Sequence, residues 1–289
     1  SAAQLAAAAC LVGPVSLADA PAAAPSSEPA MDGGGTLENE HGYISLALST
    51  LLSTGGASNV DSKDDNEEAT VSAVWVAAGV LTSLLHGNSD VKRMLVRLPV
   101  RSGEDGGSAG GEDGGGTLLL PWLTRWTFAV CQSPMANRVP LLPITLLQLL
   151  LTWTAESNDA LAAFAAPMAT LPSLLDAFSS ASSIKPVHYL PHIRGLLAAV
   201  LGACLELEER RGAILKLIKQ RIGLDVYGDV WEGIKTSKLF TMAASGNTRW
   251  SSRKSESLLN GKGAIGGVIL YTPEMGALLS AAYAQAHSA

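Results

Sequence analysis

The chain has 289 residues, of which 47% are hydrophobic, 16% charged and 5% aromatic, a balance that excludes a wholly disordered chain. Its three cysteines (Cys10, Cys131, Cys204) lie far apart, which excludes a disulfide scaffold and a cysteine-rich zinc module. The net charge of −6 speaks against general nucleic-acid binding, but it is unevenly spread: residues 1–120 hold 5 Lys/Arg against 15 Asp/Glu, and residues 210–262 hold 11 against 4.

The chain opens at Ser1 and is read as a fragment or a processed product. Leu5–Leu17 is apolar and Ala18-Asp19-Ala20 has the form of a signal-peptidase site. No basic region precedes that run and Gly13-Pro14 divides it, so residues 1–40 are expected to be an Ala/Pro/Gly-rich segment, flexible in part, rather than a leader. Residues 41–289 are expected to form one helical region interrupted by flexible loops at 55–68 and 102–116. A short apolar helix is predicted over 43–53, and a buried inner helix, apolar all round, over Val71–His86. Gly87 should stop that helix, with Asp90 capping the next, Val91–Leu98, which Pro99 ends.

Ser102–Gly116 is rich in glycine but carries four carboxylates and no Lys at phosphate-loop spacing, so it reads as an acidic linker. Helical patterning resumes at Leu118–Cys131. Pro143 opens a helix over Ile144–Ala155, and Asn158 and Asp159 are placed to cap Ala160–Ala166. Pro167 and Pro172 break the next stretch into short helices ending near Phe178. One long helix is expected over His188–Glu209 and another over Ala213–Ile222, with Gly223 as its stop. Ile144–Thr154 and Ile193–Leu207 are the most apolar stretches, and both fall short of the roughly 20 residues that span a bilayer.

A repeat underlies this order. Three times an apolar inner helix ends in a short polar corner followed by a second helix: at Leu84–Asp90, Leu151–Asp159 and Cys204–Glu209. Allowing for the acidic insertion, the corners recur about every 50 residues, somewhat longer than armadillo and HEAT units. No strand-period segment of useful length competes, so the pattern specifies an all-α, armadillo/HEAT-like α-solenoid.

Signs of catalysis are weak. His188 and His192 are four apart, but Pro191 lies between them and no third ligand is in view. Gly261-x-Gly263-x-x-Gly266 matches a dinucleotide fingerprint by letter and lacks the preceding strand. The cysteines read as small core residues, and Trp75, Trp122, Trp126 and Trp153 as packing between repeats. The expectation is a non-enzyme with neither cofactor nor metal.

Leu215-Lys216-Leu217-Ile218-Lys219-Gln220-Arg221-Ile222-Gly223-Leu224-Asp225-Val226-Tyr227 resembles the basic helix and Arg-Ile-Gly turn near the close of the armadillo head in the general vesicular transport factor family, the Uso-type vesicle tethers. Gly195–Glu208, Leu147–Thr154 and Leu84–Val91 resemble that family's Leu-Leu-Gly helix, its Leu-Leu-x-x-Thr-Trp helix and its Leu-Leu-His-x-Asn segment, in the same order. Tyr271–Met275 resembles a final aromatic-acidic helix start. The acidic glycine insertion, the Ala-rich start and the Ser/Gly/Lys character of 235–270 depart from the pattern.

The resemblance implies a peripheral protein on the cytosolic face of Golgi membranes, tethering vesicles in ER-to-Golgi and intra-Golgi transport. It implies protein partners (Rab-type GTPases, SNARE proteins, other Golgi tethers), no nucleic acid, and dimerisation through a coiled coil outside this chain. Lys216, Lys219 and Arg221 are the candidate partner-binding residues; the same three side chains also suit the solvated face of a terminal repeat. Two alternatives remain: an armadillo/HEAT scaffold with no part in membrane traffic, and a peripheral membrane binder acting through Arg249–Lys262.

Overall fold

The computed structural model describes residues 44–54 (45 excepted), 67–100, 117–155, 157–167, 169–184, 189–237 and six positions between 276 and 284. The chain divides into two compact units, Ser1–Leu84 and Leu85–Ala289. The first holds helix α1 (46–54), which buries Ala47, Leu48 and Leu51, and most of α2 (Glu67–Leu85), which buries Val74, Val76, Ala77, Ala78 and Leu81. Trp75 departs from the packing role expected of it: it points away from that buried stripe and is 44% exposed.

The second unit is built from helices in chain order: α3 (Ser89–Val96), α4 (Leu119–Gln132), the one-turn α5 (Met135–Arg138), α6 (Leu141–Thr154), α7 (Asn158–Ala165), α8 (Thr170–Ser180), α9 (Leu190–Cys204), α10 (Glu208–Arg221) and α11 (Leu224–Lys235). The packing runs like on like: α3 lies on α7, α4 on α8 and α6 on α9. Each long helix also lies on its neighbour within a repeat, α4 on α6 and α8 on α9. The starts of α4 and α8, Leu119 and Thr170, are 51 residues apart; those of α6 and α9, Leu141 and Leu190, 49; those of α7 and α10, Asn158 and Glu208, 50. This is an all-α, armadillo-like solenoid made of three-helix repeats, in which each repeat buries its apolar face only by stacking on the next.

Two helices occupy the interior. In α6 the side chains of Ile144, Leu146, Leu147, Leu149, Leu150 and Leu151 are all fully buried, and in α9 so are Ile193, Leu196, Leu197, Val200 and Cys204. Each large aliphatic side chain so buried contributes about 1.5–3 kcal/mol. Several buried threonines of α4 and α6 satisfy themselves locally. Thr124, Thr127, Thr145 and Thr154 each donate a hydroxyl to the carbonyl four residues back, at 2.8–2.9 Å. Tyr227 on α11 donates its buried hydroxyl to the Ala198 carbonyl on α9 at 2.8 Å, and Trp231 stacks edge-on beside it.

The corners differ in detail from the sequence expectation. Gly87 and Gly223 do stop their helices, with φ of 65° and 86°, conformations that favour glycine. The caps, however, are Asn88, which accepts from Val91 N, and Ser157, which accepts from Ala160 N. Asp90 and Asp159 lie one position inside the first turn, beyond reach of the orphan amides, and both meet Arg93 instead, at 3.4 and 3.2 Å. The helix expected over His188–Glu209 ends at Cys204, and Glu208 already opens α10. Leu224–Lys235 is a further helix that buries Tyr227, Val230, Trp231 and Ile234.

A two-residue antiparallel pair, β1 (Pro99–Val100) and β2 (Thr117–Leu118), joins the chain on either side of residues 101–116. Leu119 N also donates to Leu98 O at 2.9 Å. The acidic insertion thus leaves and rejoins at one point, between α3 and α4, and the stacking of repeats continues past it.

Candidate functional site

The basic segment singled out by sequence is α10, the outermost of the described repeat helices by burial. Only Ile214 and Ile218 are buried, and Lys216, Lys219 and Arg221 are all exposed. At 100° per residue Lys216 and Lys219 stand one turn apart on a shared outward face, while Arg221 is turned about 140° from Lys216. The structure therefore brings together two of the three candidate residues and places the third at the helix end. Glu208 and Glu209 in the first turn and Lys219 and Arg221 in the last complement the helix dipole, a structural reason for part of this charge pattern.

Two further basic residues of α10, Arg210 and Arg211, are exposed but bonded to backbone carbonyls. Arg210 donates to the carbonyl of Ala165, the last residue of α7, and Arg211 donates to Leu205 O at 2.8 Å. They fasten the corner between α7 and α10. Past the end of α10, Leu224 and Val226 are 53% and 41% exposed, so an apolar step adjoins the cationic face. Leu224 and Val226 were quoted in the sequence only as part of a motif; strong apolar residues at a helix start give no sign in advance that they face outward.

The other sequence signals divide by position. His192 is buried at 4% exposure; His188, the glycine fingerprint, Cys10, Arg249–Lys262 and Tyr271–Met275 lie outside the described residues. Among the described residues, no group of three or more His, Cys, Asp or Glu side chains could hold a metal ion. Cys131 and Cys204 are both fully buried, and burial pushes their thiols up to about 12, the charge of Glu206 adding to the effect at Cys204. Such thiols are poor nucleophiles at neutral pH.

No single helix among the described residues is long and apolar enough to cross a membrane. Helices α7 and α8 reach that length only as a pair bent by 83°, and their large apolar residues, Leu161, Phe164, Leu174 and Phe178, are in the core.

The arrangement is thus a stack of helical repeats with an apolar interior and an exposed basic outer helix. The profile of one family, the Uso1/p115-like vesicle tethering proteins, head region, matches residues 44–261. The chain belongs to that family. No individual curated protein matches it. The matched span takes in α1 through α11 and all three corners, so the repeats described above are those of a vesicle-tethering head. Within this Uso1/p115-like head, α10 lies inside the matched span, as does the acidic insertion between α3 and α4.

Proposed function

We propose that this tether head acts in ER-to-Golgi and intra-Golgi transport, on the cytosolic face of Golgi membranes, as a protein-binding scaffold for vesicle docking and fusion. The observation that carries the reading is the family match over residues 44–261, laid on a solenoid whose α10 presents Lys216 and Lys219 outward. A stacked-repeat surface binds proteins through extended area and needs no catalytic group, so we read the chain as a scaffold and not as an enzyme.

Residues 41–289 make up the head region in this reading and residues 1–40 a segment preceding it. The partners are Rab-type GTPases, SNARE proteins or other Golgi tethers, met by the α10 face with Arg221 at its edge, and the full-length protein dimerises through a coiled coil. A cationic face raises the encounter rate with an acidic partner surface and makes binding fall with salt.

The test is depletion of the endogenous protein followed by rescue with the full-length protein, wild type or carrying K216E and K219E. Arrival of a secretory cargo at the Golgi should slow on depletion, recover with wild type and recover less with the double variant. Undisturbed cargo transit, with no Golgi association of the tagged protein, would leave a repeat scaffold without a role in traffic and sink the proposal.

A further inference from the structure

A second surface lies along α4 and shares no lining residue with the α10 face. Pro121, Arg125 and Ala129 recur every four residues along α4, and with Pro167, Ala169 and Ser173 at the α7–α8 junction they border a groove of about 430 Å³. That volume falls within the range of ligand sites, and the groove is open along one side rather than enclosed. Most of its exposed surface is apolar, with the hydroxyls of Thr117, Thr124 and Thr170 and the amide of Gln132 also on its border, and among the described residues no carboxylate lines it. Arg125 is its one charge. The guanidinium reaches Thr117 Oγ1 at 3.5 Å, the outer limit of a hydrogen bond, and forms no ion pair among the described residues.

We propose that this groove docks an extended segment of a partner protein bearing one carboxylate flanked by small apolar residues. A guanidinium with no ion-pair partner among the described residues presents a planar fork of donors that a carboxylate meets with two parallel hydrogen bonds. A single cation among apolar and uncharged walls does not suit a phosphate backbone or an anionic bilayer, both of which are held by several cations at once. The open side allows a chain to enter and leave, as a small enclosed ligand would not require. This site goes beyond the α10 reading and shares no residue with it.

The probe is a displayed random peptide library selected on the whole 289-residue chain. Enriched peptides should carry one Asp or Glu beside apolar residues, and synthetic copies should bind at least about tenfold more weakly to R125Q, the loss expected for one charge-assisted contact. A129W, which fills the groove from an exposed position, should weaken them comparably, and K216E/K219E should leave them unchanged. Circular dichroism melts of each variant confirm that the fold is kept. No enrichment, a consensus without an acid, or equal binding to wild type, R125Q and A129W overturns the proposal. Loss of binding only in K216E/K219E also overturns it, since the peptides would then belong to the α10 face.

Discussion

Gly195 on α9 and Ile234 on α11 approach so closely that a Cβ on Gly195 would come 2.7 Å from Ile234 Cγ1. Ile234 is itself fully buried. The absence of a side chain at 195 is what lets the last described repeat helix seat on α9, and α11 in turn brings the Tyr227 hydroxyl to Ala198. Gly195→Ala should therefore lower the unfolding free energy by about 1–3 kcal/mol, the usual cost of overpacking. Gly212→Ala is the contrasting case, because nothing lies within 4 Å of a Cβ there and the position is interior to α10. It should raise stability by about 0.5–1 kcal/mol. Urea titrations of the two variants check both signs; a neutral G195A would contradict the close approach.

Lys92 is a second tie between repeats. It is only 2% exposed; its Nζ donates to Ala155 O at 2.7 Å, and its own carbonyl accepts from Trp153 Nε1 at 3.2 Å. A lysine on α3 thus satisfies the carbonyl left over at the end of α6, while the indole at the end of α6 satisfies α3. Lys92→Met keeps the aliphatic stem but strands the Ala155 carbonyl, and Trp153→Phe removes the indole donor from the Lys92 carbonyl, which keeps its place in the α3 helix ladder. The first should cost about 1–3 kcal/mol, the penalty for a buried group left without its partner, and the second about 0.5–1.5 kcal/mol, the net worth of one hydrogen bond. Because the two bonds join the same pair of helices, the double variant should lose less than the sum, which a double-mutant cycle in urea measures.

The caps give a sharper test of the corners. Asn88→Ala removes the acceptor for Val91 N at 3.1 Å and should destabilise by about 1 kcal/mol. Asp90→Ala should cost less, about 0.3–0.5 kcal/mol, since Asp90 contributes only through the helix dipole and a well-exposed contact with Arg93. A reversed order in thermal melts would return the cap to Asp90.

That pair shows where the sequence was readable. Gly87 and Gly223 were legible as helix stops because few residues other than glycine take the left-handed backbone they adopt. Asn88, Ser89 and Asp90 are all good caps by type, and only the backbone decides which one faces the orphan amides. The break between α9 and α10 at Leu205–Leu207 carries neither glycine nor proline, so a continuous amphipathic pattern ran through it. The α10 face was legible from its charge. The groove at Arg125 was not, because its walls come from α4 and from the α7–α8 junction about 40 residues later. Its one local sign was a lone arginine in the otherwise uncharged run Leu119–Gln132.

The buried thiols set the behaviour at high pH. In the folded chain burial holds Cys131 and Cys204 protonated up to about 12, whereas in the unfolded chain they ionise around the ordinary value of 9.0. A raised folded value means that the stabilisation is complete below pH 9 and is lost as the pH rises from there toward 12. Each thiol then takes away roughly 1.4 kcal/mol per pH unit. Tyr227, whose hydroxyl is also pushed up chiefly by burial, adds to the fall above pH 10. In a Cys10→Ser background, urea stability should be flat between pH 7 and 8.5 and drop steeply between 9.5 and 11. Replacing Cys131 and Cys204 by Ala in that background should lower stability at pH 7, since it cuts into the core, but flatten the alkaline limb. At pH 8 the two native thiols should resist Ellman's reagent and react only when urea unfolds the chain; rapid native labelling would show that they are not sealed in the core.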